Sequence, residues 1–176
     1  GETGQVMAAR DPIGIRPLFY GFTKTGSISF SSEAKGLIEF CDGVQPFPPG
    51  HYYRDGEFHV YNDIADPKMI IDEDEEVIVK NIREKLEAGI IKRLHSDAPL
   101  GFLLSGGLDS SLVCAVAQKH LDKPIKTFAV GMETDPIDLK YAKEVADYLG
   151  TEHTEVIMTK DDILSSLEKV IWHLET

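Results

Sequence analysis

Leu103-Leu104-Ser105-Gly106-Gly107-Leu108-Asp109-Ser110-Ser111-Leu112 is the stretch whose reading decides the fold. The run Leu100–Leu104 leads into it, short and apolar, as expected of a strand buried on both faces. Leu112–Leu121 follows as an apolar, helical stretch. In open parallel sheets, the turn between such a strand and helix lies where ligands bind. Two adjacent glycines let the backbone approach a ligand closely and adopt conformations closed to other residues. Ser105, Ser110 and Ser111 offer hydroxyl donors, and the free amides of the helix start point at the same spot. Together these make an anion cradle from neutral groups.

Asp109 stands out in that setting. A carboxylate inside a phosphate cradle repels its ligand unless a cation stands between them, so Mg2+ bridging Asp109 and phosphate oxygens is expected. The plainer alternative is that Asp109 only caps the helix. The loop lacks the Gly-Lys-Ser/Thr of a Walker A sequence, so no lysine reaches the β- and γ-phosphates. It lacks Gly-x-Gly-x-x-Gly, which argues against a dinucleotide. Leu103 stands where a serine-hydrolase elbow needs glycine.

Working outward, Ile125–Val130 reads as the next strand. Leu139, Ala142, Val145, Ala146 and Leu149 define a helix that Gly150 suits as C-cap. His153–Ile157 reads as a third strand, and Thr159 with Asp162 resembles a capping box opening a helix through His173. Repeated β-α-β predicts a parallel sheet with right-handed crossovers. Three strands are few for a doubly wound domain, so truncation at both ends is expected. Upstream, Ile78, Ile82, Leu86, Ile90 and Leu94 at spacing four predict a helix with one buried stripe. The acidic run Asp72–Glu76 reads as its solvated first turn, suited to the positive dipole end.

The character of the sequence changes near residue 70, and before it lie short alternating segments split by Gly and Pro, a β-rich part. Gln5–Ala9, Leu18–Phe22 and Ser27–Ser31 read as strands, with Lys24-Thr25-Gly26 as a hairpin turn. Glu33–Ile38 reads as a short helix, Cys41-Asp42-Gly43 as a turn, and Phe47-Pro48-Pro49-Gly50 as another. His51–Arg54 and Glu57–Tyr61 pair around Asp55-Gly56. The expected division is 1–66 and 67–176, with a connector over 62–69. Arg10, Asp11 and Arg16, in a Pro-bounded loop, are expected to pin a turn by hydrogen bonds rather than to face a pocket.

The apolar share of 42% and charged share of 27% fit a globular chain rather than a disordered one. The net charge is −12, with acids in excess in both parts and no basic stripe, which argues against DNA or RNA as a partner. No apolar run is long enough to span a bilayer, and the start shows no secretory pattern. Cys41 and Cys114 are the two cysteines. They lie far apart without Cys-x-x-Cys spacing, against a disulfide framework or zinc site and in keeping with a reducing cytosol. The histidines show no paired ligand spacing.

Ser105-Gly106-Gly107-Leu108-Asp109-Ser110 resembles the PP-loop of ATP pyrophosphatases, which cleave ATP between its α- and β-phosphates. Further segments resemble glutamine-dependent asparagine synthetases. Arg10-Asp11-Pro12-Ile13-Gly14-Ile15-Arg16-Pro17-Leu18-Phe19-Tyr20, Ser31-Ser32-Glu33-Ala34-Lys35-Gly36-Leu37 and Phe47-Pro48-Pro49-Gly50 are similar to the late part of their glutaminase domain. Phe128-Ala129-Val130-Gly131 and Val145-Ala146-Asp147-Tyr148-Leu149-Gly150-Thr151-Glu152-His153 are similar to their synthetase domain.

The resemblance implies an α/β chain. Residues 1–66 would be the C-terminal part of an N-terminal-nucleophile glutaminase, and 67–176 the first βαβαβα units of a parallel-sheet ATP-pyrophosphatase domain. It implies a cytoplasmic ligase that makes asparagine from aspartate and ATP with glutamine as ammonia donor. The reaction passes through a β-aspartyl-adenylate and releases AMP and pyrophosphate. By position, Leu104 and Val130 would contact the nucleoside. Ser105, Gly106, Gly107, Asp109 and Ser110 would hold pyrophosphate and Mg2+, with Asp109 as the metal ligand. The implied partners are small molecules, without nucleic acid or membrane, and a homodimer is admitted.

The family's glutaminase needs a cysteine as first residue. Gly1 stands there and neither Cys41 nor Cys114 matches, so no catalytic residue is assigned and this stretch alone is expected to be inactive. Asp135-Pro136-Ile137-Asp138-Leu139 departs by one residue from the family's Ser-Pro-Asp-Leu. Alternatives are a related ligase acting on another carboxylic acid, as β-lactam synthetases do, or a non-catalytic nucleotide-binding module.

Overall fold

The computed structural model describes residues 5–134 and 137–175. Gly1 and the pair Asp135-Pro136, on which two of the departures above rest, lie outside the described residues. The chain forms two compact units, residues 1–71 with 169–176, and residues 72–168.

The first unit carries β1 (Met7–Ala9), β2 (Phe19–Thr23), β3 (Ile28–Ser31), β4 (Cys41–Pro46), β5 (His51–Arg54) and β6 (Glu57–Val60). They form two antiparallel sheets, ordered β1-β5-β6 and β3-β2-β4. Aromatic side chains from both sheets meet around Phe47, which has no exposed surface. Tyr20 of β2 lies 4.9 Å from Phe58 of β6, and Phe30 of β3 lies 5.4 Å from Tyr53 of β5, ring centre to ring centre. Such tilted pairs add to the area that each ring buries. The β5–β6 hairpin turns at Asp55 and Gly56, both with positive φ, as a tight two-residue loop demands.

Two expectations need correction in this unit. Cys41-Asp42-Gly43 is not a turn. Cys41 is buried at the start of β4, and Gly43 (φ +73°) is an extra residue in that strand. Gly21 pairs with Val44 and Phe22 with Asp42, so Gly43 has no partner and forms a β-bulge. The helix expected over Glu33–Ile38 is a single 3₁₀ turn, Ala34–Gly36, that stops where Leu37 enters the core at 1% exposure.

Arg10 and Asp11 do pin their loop. The Arg10 guanidinium donates to the carbonyl oxygens of Phe47 (2.6 Å), Gly14 (3.0 Å) and Arg16 (3.0 Å). The Asp11 carboxylate accepts from the amides of Ile15 (2.9 Å), Arg16 (3.1 Å) and Ile13 (3.3 Å). These amide bonds, that of Ile15 foremost, hold its carboxyl below the usual range. The Arg16 side chain makes no such bond among the described residues. Within the same unit, the Glu175 carboxylate accepts from the amides of Ala34 (2.6 Å) and Lys35 (2.8 Å) and lies 3.4 Å from Lys35 Nζ.

The second unit contains α1 (Glu75–Arg93), β7 (Gly101–Leu103), α2 (Leu108–His120), β8 (Lys126–Met132), α3 (Ile137–Leu149), β9 (Glu152–Met158) and the start of α4 (Lys160–Leu174). The strands form a parallel sheet ordered β7-β8-β9, so the expected α/β architecture is present. Ile90, Leu104, Cys114, Val116, Ala117, Ile125, Ala129, Leu139, Ala142 and Ala146 form its core. Gly150 closes α3 with φ +68°. The capping box at α4 forms with Asp in place of Glu. Asp162 accepts from the Thr159 amide (2.9 Å) and hydroxyl (2.7 Å), and its own amide donates back to Thr159 Oγ1 (3.1 Å).

Here too the sequence reading was partly wrong. Leu103 of β7 is 79% exposed, so β7 is not buried on both faces; it is the sheet's edge, with β8 as its neighbour. The stripe on α1 is broken, because Ile90 is buried whereas Ile82 is 60% exposed. Each step of four residues overshoots a 3.6-residue turn by about 40°, so a spacing-four series spirals round the helix.

Candidate nucleotide site

Ser105-Gly106-Gly107 connects the carboxyl end of β7 to α2. Gly106 takes φ +76°, and a Cβ built on it would lie 2.5 Å from the backbone carbon of Tyr141 and 2.6 Å from the amide nitrogen of Ala142, both in α3. Gly106 is therefore required by the packing of the loop against α3, a role the sequence reading did not foresee. Gly107 is different. Its φ is −71°, and a Cβ there would meet only Ser105 Oγ, at 3.5 Å. It is the N-cap of α2 and supplies no side-chain cap. The first bond of this helix runs from the Ser111 amide to the Gly107 carbonyl. That leaves the amides of Leu108, Asp109 and Ser110 as the unsatisfied donors of the helix start.

The serine hydroxyls brace the loop. Ser105 Oγ and Ser110 Oγ lie 3.0 Å apart. Ser110 Oγ accepts from the Ser105 amide (3.3 Å) and donates to the Gly107 carbonyl (3.3 Å). Ser111 does not join them. Its Oγ is buried without a hydrogen-bond partner among the described residues, so it is not a donor to the loop. Asp109 is exposed in the first turn of α2, and its carboxylate makes no capping bond. The capping alternative is thus removed, and the carboxylate is left open to solvent beside the free amides.

A pocket of about 270 Å³ opens beside the loop, slightly below the roughly 300–1,000 Å³ common for small-molecule sites. Leu104, Ser105, Ser110 and Val130 all line it, with Leu103, Phe128, Ala129 and Asp138. Gly106, Gly107 and Asp109 belong to the same turn but not to this lining. Leu104 is buried at 1% exposure, whereas Val130, near the end of β8, is 47% exposed. Among the described residues no basic side chain lines the pocket. Asp138, in the first turn of α3, escaped the sequence reading. Its signal was its place just after the strand that neighbours β7, at the carboxyl end of the sheet.

Among the described residues no cluster of three or more His, Cys, Asp or Glu could hold a metal by itself. Magnesium commonly uses one or two carboxylates plus substrate phosphates, a donor set that Asp109 fits. No helix of the described residues is long and apolar enough to cross a membrane.

Residues 81–176 match the family described as asparagine synthase, and residues 1–65 match the glutamine amidotransferase domain. The glutamine-hydrolysing asparagine synthetase 2 of Arabidopsis thaliana is 43% identical over 97% of this chain and 31% of its own length. The enzymes so named from Asparagus officinalis and Zea mays are 44% and 43% identical, each over 97% of this chain and 30% of their own. The chain thus spans about a third of the length of the curated relatives it matches. With its loop and parallel sheet inside a family match over residues 81–176 and relatives so named at 43–44% identity, this chain belongs to the asparagine synthetase family.

Proposed function

We propose that this chain forms the end of a glutaminase domain, over 1–66, and the start of a synthetase domain, over 67–176, of a ligase. The enzyme would make asparagine from aspartate and ATP, with ammonia taken from glutamine. The observation that carries this reading is the Ser105–Ser110 turn, with the unpaired amides of Leu108, Asp109 and Ser110 next to an unpaired carboxylate. Those amides would receive the departing pyrophosphate, where fixed donors stabilise the charge that develops on a leaving group. Ser105 and Ser110, which hold each other in place, would present their hydroxyls to the same oxygens. Leu104 and Val130 would flank the nucleoside and exclude water on that side.

Asp109 would hold magnesium carried in with the nucleotide, which supplies charge neutralisation to the phosphates. A pocket in which no described residue is basic is suited to a polyanion that brings such a cation with it. Attack of the aspartate side-chain carboxylate on the α-phosphorus would then form a β-aspartyl-adenylate, and ammonia would displace AMP from it.

The test is exchange of labelled pyrophosphate into ATP by the full-length protein. The expected result is exchange that requires aspartate, with AMP and pyrophosphate as products when ammonia or glutamine is added. Formation of ADP and phosphate instead would refute the adenylation chemistry.

A further inference from the structure

Asp138 has no part in the loop chemistry described above, yet it lines the same pocket as Leu104, Ser105, Ser110 and Val130. It is exposed, and it makes no hydrogen bond or ion pair among the described residues. An exposed carboxylate at the rim of a nucleotide pocket is placed to accept hydrogen bonds from a ligand bound there. Direct contact with the phosphates is opposed by charge, and the bridging cation that would offset it is assigned to Asp109. The purine edge offers one amino group flanked by ring nitrogens that are acceptors and would oppose a carboxylate. The ribose offers two adjacent hydroxyl donors, which match the two carboxylate oxygens.

The topology agrees. In dinucleotide-binding sheets an acidic side chain some way beyond the phosphate loop takes the ribose hydroxyl. Here β8 is hydrogen-bonded beside β7, whose end carries the loop, and Asp138 follows β8 at the start of α3.

We infer that Asp138 accepts hydrogen bonds from the ribose hydroxyls of the nucleotide and so selects ribonucleotides over deoxyribonucleotides. This rests on the reading of the loop as an ATP site.

The experiment compares ATP with 2′-deoxy-ATP and 3′-deoxy-ATP in aspartate-dependent pyrophosphate exchange. It uses the full-length protein and its Asp138→Ala, Asp138→Asn and Asp109→Asn variants, with far-UV circular dichroism as a check on folding. Wild-type protein should show a KM for at least one deoxy analogue about tenfold or more above that for ATP, the scale of a hydrogen bond to a charged group. In Asp138→Ala the KM for ATP should rise to that of the analogue, with kcat little changed. The isosteric Asp138→Asn should give an intermediate ratio, and it keeps the test open should the alanine variant fail to fold. A variant that folds and keeps the wild-type preference overturns the inference while leaving the ATP site intact. Wild-type protein indifferent to the ribose hydroxyls overturns it equally. If the wild-type protein shows no aspartate-dependent exchange with ATP, the ATP-site reading fails and the assignment of Asp138 fails with it, whereas untouched exchange in Asp109→Asn refutes only the metal role of Asp109.

Discussion

Replacing Gly106 by alanine tests whether the loop is held by α3. The substitution faces two penalties. A side chain at φ +76° is in the left-handed region, which costs roughly 1–2 kcal/mol. The new methyl would also lie 2.5 Å from the Tyr141 backbone carbon and 2.6 Å from the Ala142 amide. Backbone cannot swing aside as a flexible side chain can, so α3 or the loop must shift, an overpacking cost of about 1–3 kcal/mol. Together they come to about 2–5 kcal/mol, a large part of the roughly 5–15 kcal/mol that holds a typical protein folded. The neighbouring Gly107→Ala variant is the control. Its φ of −71° suits alanine, and the nearest atom to the new methyl lies at 3.5 Å. Loss of a favourable N-cap should cost only about 1 kcal/mol. Urea unfolding of the full-length protein, followed by circular dichroism, should show a much lower midpoint for Gly106→Ala than for Gly107→Ala. Equal midpoints would refute the argument that Gly106 serves packing.

Three further outcomes are expected. Asp109→Asn should abolish aspartate-dependent pyrophosphate exchange while changing stability by less than about 0.5 kcal/mol, since its carboxylate caps nothing; a large stability loss in urea would point to a structural role instead. Thr127 has no exposed surface and bonds Thr151 Oγ1 (2.7 Å) and His153 Nδ1 (2.9 Å), so Thr127→Val should cost about 1–3 kcal/mol in urea titrations by leaving these part-buried partners unpaired. The Thr159 hydroxyl, and then the Thr159 amide, hold the Asp162 carboxyl below its ordinary 3.8. A lowered native value means that the folded state releases this proton more readily than the unfolded chain. Its stabilisation is therefore full above the ordinary value and disappears as pH falls through the lowered one. Asp162→Asn should make unfolding midpoints less sensitive to pH below about 4, and an unchanged acid dependence would contradict this.

The parts of the fold that could be read from the sequence are those where local chemistry and tertiary contacts agree. The Asp55-Gly56 hairpin, the Gly150 cap and the Thr159–Asp162 box each depend on residues close together in the chain, and each forms as expected. The bulge at Gly43 was missed because Asp-Gly signals a turn, and only pairing with Gly21 and Phe22, far back in the chain, makes it a strand. Leu103 looked buried because composition reports polarity and not position in a sheet. In the candidate site, Leu104, Ser105, Ser110 and Val130 were named and do share one pocket. Asp138 was missed because its local pattern is that of an ordinary helix start, and its one signal, the place just after the strand beside β7, shows only once the sheet order is known.

The contact of Glu175 with Ala34 and Lys35 has a consequence for how the protein is made. It joins residues about 140 positions apart in one compact unit. At roughly 5–20 residues per second, a ribosome adds that much chain in about 7–28 s. Throughout that interval the amides of Ala34 and Lys35 can bond only to water or to substitute partners. Synthesis alone thus imposes a delay before the turn at Ala34 and Lys35 acquires this carboxylate, and a chaperone that recognises unfinished β-structure would have those seconds in which to engage it.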